Sequence, residues 1–220
     1  MKSAAIICNG DFPRKEYPRY LIREADYIIC CDAALQTYLK HCQAIFGKER
    51  IPNAVIGDMD SLSASYRKRY EGLIIYDHDQ ETNDQTKAFR LVLDRFKDVS
   101  SIHIIGATGK RPEHTIGNLS LLMEYAREYD MEKLGISIDS VYDYGTAFPV
   151  TGSTEIHCGK DRKISIISTD NSLKISSEGL VWPTDDVVFD NLWKATLNRS
   201  CDDVVKLKFS HKSTALILLD

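Results

Sequence analysis

Two aspartates one residue apart are the strongest chemical signal in the sequence. Asp58 and Asp60 lie in Gly57-Asp58-Met59-Asp60-Ser61, directly after the apolar run Ala54-Val55-Ile56. In open α/β sheets ligands bind beyond the carboxyl ends of the strands, which is where this motif falls. With the chain extended, side chains two residues apart point to the same side, and paired carboxylates suit Mg²⁺ that bridges substrate phosphates. We therefore predict a metal site here; helix capping by one acid or by Ser61 is the alternative.

A third acid follows in Thr82-Asn83-Asp84-Gln85-Thr86-Lys87. Asp84 and Lys87 are three residues apart and share a face of the helix predicted to begin here, so the pair could hold a metal and a phosphate together. The same segment also fits a capping box from Thr82 to Gln85, with Asp84 complementing the helix dipole. Taken with the two aspartates above, Asp84 is a candidate third metal ligand.

A glycine-containing loop lies between a predicted strand and a predicted helix. It reads Gly106-Ala107-Thr108-Gly109-Lys110-Arg111 and continues into Pro112-Glu113-His114. Glycines allow backbone N–H groups to approach a phosphate, a helix N-terminus adds partial positive charge, and Lys110 and Arg111 add full charges. The spacing matches neither a P-loop nor a dinucleotide fingerprint, so the loop alone is weak support for phosphate binding.

Two shorter polar groups end other predicted strands, namely Asn9-Gly10-Asp11 and Cys31-Asp32. Ordinary turn chemistry explains each of them singly. Four polar clusters at the carboxyl ends of strands are harder to explain in that way. Together they predict a crevice that binds a metal and phosphate groups.

The elements that position these clusters alternate between short apolar runs and helical patterns. Strands are predicted at Ala4–Cys8, Tyr27–Cys31, Ala54–Ile56, Leu73–Tyr76 and Ile102–Ile105, and helices at Asp84–Phe96 and Glu113–Tyr129. Continuously apolar strands separated by helices favour a doubly wound, mostly parallel α/β sheet.

After Gly145 the pattern changes to short strands separated by Gly, Asp, Asn and Ser, at Glu155–Cys158, Lys163–Ile167, Leu173–Ser176, Val204–Phe209 and Ala215–Leu219. Such segments are typical of a small antiparallel β-sandwich or barrel. We predict an α/β nucleotide-binding domain at 1–145 and an all-β domain at 146–220.

Composition narrows the class of protein. The 220 residues are 43% hydrophobic and 27% charged, with a net charge of -4, which disfavours disorder, coiled coils and proteins that bind nucleic acid through a basic surface. We find neither a secretory signal nor an apolar run of about 18 residues that could span a membrane. A cytoplasmic protein without a membrane partner, with buried and reduced cysteines, is therefore expected.

With these motifs in order along the chain, the sequence resembles thiamine pyrophosphokinase. The blocks that carry the resemblance are Asn9-Gly10, Cys31-Asp32, Gly57–Ser61, Asn83-Asp84-x-x-Lys87, Gly106–Thr115 and Gly179-Leu180-Val181-Trp182-Pro183. They span nearly the whole chain. The resemblance implies an ATP-dependent transfer of a pyrophosphoryl group to the thiamine hydroxyl, giving thiamine diphosphate and AMP, by a homodimer with an α/β domain and a C-terminal β domain.

The resemblance also implies roles for individual residues. Asp58, Asp60 and Asp84 match the acidic Mg²⁺-ATP site, and Lys87 and Arg111 match catalytic positions near the phosphates. Further contacts to ATP or thiamine are expected from Asn9, Asp32, Gly106, Thr108, Gly109, Lys110, Glu113, His114, Trp182 and Asn198. This chain departs from the family in carrying Glu113 for the usual Asp, Ala33-Ala34 for glycines, and Leu197 for the serine that usually precedes Asn198.

Two other functions stay open on the sequence alone. Asp-x-Asp after a strand also suits the metal site of a glycosyltransferase, although the Gly106–Arg111 loop has no natural place there. A non-catalytic module that binds thiamine or a nucleotide is the second alternative, which Leu197 could indicate.

Overall fold

The computed structural model describes residues 2–220, which form two compact units. The first unit comprises the chain up to Leu119 together with Glu132–Asp143, and the second comprises Ser120–Met131 together with Tyr144–Asp220. Within residues 2–220, no helix is both long and apolar enough to cross a membrane.

Six parallel strands form the sheet of the first unit. They are β1 Lys2–Ile7, β2 Tyr27–Cys31, β3 Ala54–Gly57, β4 Ile74–Tyr76, β5 Val99–Ile105 and β6 Ser137–Tyr142. Their spatial order is β6-β5-β1-β2-β3-β4, and every adjacent pair is parallel. The chain moves outward from β1 to β4 and then returns to place β5 on the other side of β1. The order therefore reverses between β1 and β5, which is where α/β sheets bind ligands.

The helices lie between these strands. They are α1 Glu16–Glu24, α2 Ala34–Phe46, α3 Ala64–Arg69, α4 Asp84–Arg95, α5 Pro112–Glu128 and α6 Met131–Leu134, with a 3₁₀ turn at Glu71–Leu73. Helix α4 packs against β1, β2 and β3.

Both faces of the sheet are covered. Ala5 and Ile7 of β1 belong to a buried cluster that includes Leu35 and Tyr38 of α2, whereas the alternate residues Ala4 and Ile6 are equally buried and point to the opposite face. Burial on both faces accounts for the continuously apolar strands of the sequence. The predicted doubly wound, mostly parallel fold is confirmed.

The second unit contains seven antiparallel strands. They are β7 Gly145–Thr151, β8 Thr154–His157, β9 Lys163–Ile167, β10 Ile175–Glu178, β11 Ala195–Arg199, β12 Val204–Phe209 and β13 Thr214–Leu219. Strands β11-β9-β13-β7 lie side by side, and β10-β12-β8 form a second sheet. One core joins the two groups, with Ile166 and Ile217 from the first and Ile175 and Val205 from the second. The antiparallel β architecture expected from the sequence is confirmed.

Candidate nucleotide and phosphate site

A cavity of about 420 Å³ opens at the carboxyl ends of β1, β2 and β5 in the first unit. Its walls come from five stretches of chain: the ends of β1 and β2, Ser61 after β3, the start of α4, and the loop after β5 together with the first turns of α5. The lining residues are Cys8, Asn9, Gly10, Cys31, Asp32, Ser61, Asn83, Asp84, Gln85, Ala107, Gly109, Lys110, Arg111, His114 and Asn118. The cavity thus lies where the strand order reverses, as the position of the polar clusters predicts.

Main-chain hydrogen bonds join the end of β1 to the loop after β5. Gly10 N donates to Gly106 O at 2.7 Å, and Asp11 N donates to Thr108 O at 2.8 Å. A Cβ on Gly10 would collide with both of those carbonyl oxygens, and a Cβ on Gly106 (φ +71) would lie 2.7 Å from Cys8 O. The two segments can approach this closely only because glycine stands at both positions.

Two basic residues of the same loop border the cavity. Lys110 has a left-handed backbone with φ 52, and its Nζ donates to Asn9 O at 2.7 Å. Arg111 forms an exposed ion pair with Glu113, with Nε and Oε1 2.6 Å apart. The ammonium group of Lys110 therefore lies at the end of β1. The ion pair with Glu113 holds the guanidinium group of Arg111 at the edge of the cavity.

Asp32 is the most buried acid of the site. Its backbone is left-handed (φ 43), its Oδ2 accepts from Ser61 N at 3.2 Å, and its Oδ1 is buried without a hydrogen-bond partner. Burial raises the pKa of Asp32 above its usual range, and the charges of Asp58 and Asp60 raise it further, against the hydrogen bond from Ser61. Asp32 therefore has an unused acceptor that a cation or a ligand donor would satisfy.

The Asp-x-Asp segment is not extended, contrary to the expectation from its spacing. Met59 has φ 65 and is fully buried, and Asp58 Oδ1 accepts from Asp60 N at 3.1 Å. That hydrogen bond closes a turn at the end of β3 and lowers the pKa of Asp58. Burial of the Met59 side chain places the polar residues that flank it toward the opposite side, at the surface.

Gly57 allows Asp84 to approach the end of β3. A Cβ on Gly57 would lie 3.1 Å from both Asp84 Oδ1 and Asp32 Cβ. Asp84 is the first residue of α4, and burial raises its pKa while Lys87 lowers it. Lys87 Nζ lies 3.6 Å from Asp84 Oδ1 and donates to Asp77 O at 2.9 Å. The buried ammonium group of Lys87 therefore lies next to Asp84, on the same helix.

These acids fit a magnesium ion that is shared with a phosphate substrate. Throughout residues 2–220, no three acidic, histidine or cysteine side chains are gathered closely enough to form a complete metal site by themselves. Mg²⁺ in phosphoryl-transfer sites usually takes one or two carboxylates, with phosphate oxygens and waters completing its shell. The hard oxygen donors and the unpartnered Oδ1 of Asp32 suit such an ion. The assignment of Asp58, Asp60 and Asp84 as its ligands stays a prediction.

The cavity gathers some of the residues predicted from the sequence and leaves others outside its lining. The predicted residues that line it are Asn9, Asp32, Asp84, Gly109, Lys110, Arg111 and His114. Those of the same unit that do not are Asp58, Asp60, Lys87, Gly106, Thr108 and Glu113. Lys87 and Glu113 instead contact lining residues, and the carbonyl groups of Gly106 and Thr108 hold the end of β1.

Eight lining residues are not among the predicted site residues: Cys8, Gly10, Cys31, Ser61, Asn83, Gln85, Ala107 and Asn118. Asn83 is the N-cap of α4, because its side chain accepts from Thr86 N at 3.0 Å. The capping box from Thr82 to Gln85 is therefore wrong, although asparagine is among the preferred N-cap residues and could have been chosen instead. The thiols of Cys8 and Cys31 lie 4.0 Å apart at the ends of β1 and β2, and both are free.

The second unit holds a smaller cavity of about 170 Å³, lined by Trp182, Pro183, Thr184, Val187, Lys194, Ala195, Thr196 and Asn198. Two predicted binding residues meet here, because Asn198 Nδ2 donates to Trp182 O at 2.6 Å and Trp182 N donates to Asn198 Oδ1 at 3.2 Å. Leu197 does not line this cavity; it is 75% exposed, has φ 56, and lies in a register shift of β11.

Two sequence models of known domains match the chain. Residues 18–133 match "Thiamin pyrophosphokinase, catalytic domain" and residues 145–217 match "Thiamin pyrophosphokinase, substrate-binding domain". A thiamine pyrophosphokinase of Bacillus subtilis is 34% identical over 76 residues, which is 33% of this chain and 35% of that protein. The chain is thus aligned with about a third of the length of this relative.

Solved structures of similar fold cover the whole chain. The thiamine pyrophosphokinase of Bacillus subtilis superposes with a TM-score of 0.75 at 19% identity, over 100% of this chain and 99% of that one. The enzyme of Candida albicans superposes with a TM-score of 0.74 at 17% identity, over 100% and 89% of the two chains. At these identities the likeness establishes the fold.

The buried carboxyl of Asp32 gives a first test of the site. We expect Asp32→Asn to raise the melting temperature of the ligand-free protein in EDTA at neutral pH. The reason is that the folded-state pKa of Asp32 lies above the unfolded value of 3.8, so the ionised carboxylate destabilises the fold above that folded-state pKa. As the pH falls through it, the wild-type carboxyl protonates, and the advantage of the variant should vanish toward about pH 4.

Asparagine tolerates the left-handed backbone at this position, so the comparison is not confounded by strain. Melting curves of both proteins from about pH 8 to about pH 4 provide the measurement. An advantage that is absent at neutral pH, or that grows on acidification, would contradict this account of Asp32.

Proposed function

The chain belongs to the thiamin pyrophosphokinase family, and we propose that it transfers the pyrophosphoryl group of Mg²⁺-ATP to the primary hydroxyl of thiamine. The products would be thiamine diphosphate and AMP. The observation that carries the proposal is that catalytic and substrate-binding domain models match successive parts of the chain, at 18–133 and 145–217. Neither the glycosyltransferase nor the non-catalytic module is favoured by these matches.

We assign the nucleotide to the cavity of the first unit. Its lining combines two cations from the loop after β5, Lys110 and Arg111, with two acids, Asp32 and Asp84. Anionic phosphates would lie against the cations and the backbone N–H groups of the loop. This arrangement positions and neutralises a triphosphate, and phosphoryl transfer requires little covalent chemistry from the protein beyond that.

In the reaction, the thiamine hydroxyl oxygen would lose its proton to solvent and form a bond to the β-phosphorus. The bond from that phosphorus to the oxygen it shares with the α-phosphate would break, releasing AMP. Asp58, Asp60 and Asp84 would hold the magnesium ion, which when bound neutralises phosphate charge. Burial raises the pKa of Asp84, and the ammonium group of Lys87 opposes that rise. Arg111 would bind a phosphate with its planar fork of donors.

The activity itself is tested by incubating the protein with Mg²⁺-ATP and thiamine and separating the nucleotides. AMP that appears only when thiamine is present, in equal amount to thiamine diphosphate, supports the proposal. Release of a nucleoside diphosphate from a nucleotide sugar would indicate the glycosyltransferase, and binding without any product would indicate the non-catalytic module.

We expect Asp58→Asn and Asp60→Asn each to lower the rate of AMP formation by about 100-fold or more, because each removes a charged oxygen from the metal and phosphate site. The fold should persist, since an asparagine at 58 can still accept the hydrogen bond from Asp60 N. Asp94→Asn on α4 is the matched control, because Asp94 is exposed and pairs only loosely with Lys97, 3.9 Å away. Rates of both variants close to wild type would remove these acids from the site.

We further propose that the cavity of the second unit binds part of thiamine. Trp182 offers an aromatic surface, and Asn198 fixes the main chain of Trp182 through two hydrogen bonds. An aromatic side chain that is 58% exposed beside a cavity is available for stacking on a flat heteroaromatic ring.

Accordingly, Trp182→Ala should raise the apparent KM for thiamine about 10-fold while leaving the apparent KM for ATP within about twofold, because only one substrate contacts this side chain. Tyr20→Ala is the control, since Tyr20 of α1 is an aromatic side chain that is 48% exposed and lines neither cavity. Steady-state kinetics with each substrate varied in turn provide the measurement. Equal changes in both constants would contradict the assignment.

We also propose a homodimer. Six apolar side chains are exposed between residues 181 and 197: Val181, Trp182, Val188, Leu192, Trp193 and Leu197. A soluble chain rarely exposes so many large apolar groups in one short stretch unless they contact a partner, and closed two-fold dimers are the commonest oligomers. Light scattering should therefore give about twice the chain mass of 24.9 kDa. A fully active species with the mass of one chain would contradict the dimer.

A cytoplasmic location is proposed from the cysteines. All six are free and five are buried, which fits a reducing compartment. Cell fractionation would check this placement.

A further inference from the structure

Asn118 of α5 joins the two sides of the nucleotide cavity. Its Nδ2 donates to Ala107 O in the loop after β5 at 2.8 Å, and its Oδ1 accepts from Asn83 Nδ2 at 2.9 Å. Its main-chain oxygen also accepts from Gln85 Nε2 at 3.0 Å. One residue therefore contacts both the phosphate-side loop and the first turn of α4, where Asp84 lies.

The orientation of this network is fixed by main-chain groups at both ends. Ala107 O can only accept, so the Asn118 amide must turn its NH₂ group toward the loop and its oxygen toward Asn83. The N–H of Thr86 can only donate, so Asn83 must turn its oxygen into the helix cap and its NH₂ group toward Asn118. An amide at position 118 satisfies both demands at once, whereas a carboxylate would place an oxygen against Ala107 O.

The separation between these two walls matters to the proposed reaction. The loop carries the cations that would receive the phosphates, and the start of α4 carries the acid that would face the metal. The loop is already tied to the end of β1 by main-chain hydrogen bonds. Asn118, which lines the cavity, extends that tie to the N-cap residue of α4.

We propose that Asn118 is a positioning residue for pyrophosphoryl transfer, which sets the distance between the phosphate-binding loop and Asp84. The inference rests on the proposed function of the site, but the clamp is a property of the nucleotide half alone. Asn118 does not take part in the chemistry; it holds the two groups that do.

The test compares Asn118→Asp and Asn118→Ala with wild type in two measurements. The first is kcat/KM for Mg²⁺-ATP from about pH 6 to about pH 8; the second is the calorimetric affinity for Mg²⁺ with α,β-methylene-ATP, which needs no thiamine. Both variants should lose about 10-fold in each quantity, as expected from the loss of two side-chain hydrogen bonds, one of them partly buried. Melting temperatures should stay close to wild type, because alanine favours the helix and the Gln85 contact uses the main chain.

The two variants differ in their expected pH dependence. A protonated carboxyl can donate to Ala107 O, so the activity of Asn118→Asp relative to wild type should recover as the pH falls, whereas that of Asn118→Ala should stay flat. Asn53→Asp is the matched control, since Asn53 uses only its oxygen, to accept from Ile28 N at 2.8 Å, and a carboxylate preserves that contact. A merely structural role for Asn118 would not produce a pH-dependent rescue in one variant only.

The outcomes separate the clamp from the proposed function. A wild type that binds the ATP analogue but forms no AMP with thiamine, combined with weaker binding by both variants, overturns the function and supports the clamp. Variants within about twofold of wild type in both quantities overturn the clamp whatever the wild type does. Losses of affinity that are matched by a large fall in melting temperature also overturn it, because they indicate a general structural role.

Discussion

The close approach of two main chains, at the end of β1 and in the loop after β5, is the constraint on which the candidate site depends. Gly10 and Gly106 leave no room for a Cβ, and the hydrogen bond between them draws the loop onto the sheet at the point where the strand order reverses. Lys110 and Arg111 of this loop line a cavity to which the start of α4 also contributes. The hydrogen bonds that first join this loop to the end of β1 are main-chain ones.

The charges of the site are unbalanced in the protein by itself. The charges of Asp58 and Asp60 raise the pKa of Asp32, and those of Asp32 and Asp58 raise the pKa of Asp84. The buried ammonium group of Lys87 lies 3.6 Å from Asp84 Oδ1. Like charges held near each other cost stability, and a bound cation would offset that cost. Triphosphate and metal together carry both signs, so this arrangement favours the pair over either one alone.

The sequence predicted the sheet well where strands are apolar on both faces and less well where they are irregular. Tyr27–Cys31, Lys163–Ile167 and Val204–Phe209 have the predicted bounds, since burial and alternation there are unambiguous. Strand β7 contains Pro149 and β11 has a shifted register, so neither was predicted, because proline and irregular pairing remove the pattern that indicates a strand.

In the site, residues that directly follow strands could be predicted from position alone, as with Asn9, Asp32 and the loop at Lys110. Asn118 could not, because it lies in the interior of a helix, where asparagine carries no positional signal, and its partners are distant in the chain. The turn at Met59 was also hidden, since a buried side chain between two acids looks the same in sequence whether the chain is extended or folded back.

Asp32, Met59 and Lys110 share a left-handed backbone although none of them is glycine. Such a conformation costs about 1 kcal/mol or more for an ordinary residue. The backbone conformation at these three positions therefore lowers the thermal stability of the fold. All three lie in or near the segments that form the nucleotide cavity. If thermal stability alone were under selection, we would expect glycine in place of Lys110, because the side chain at this position gains little from burial. Such selection would leave Met59 in place, since its side chain is embedded in the core. The direction in which homologous proteins vary at these positions would then record whether stability or activity was under stronger selection.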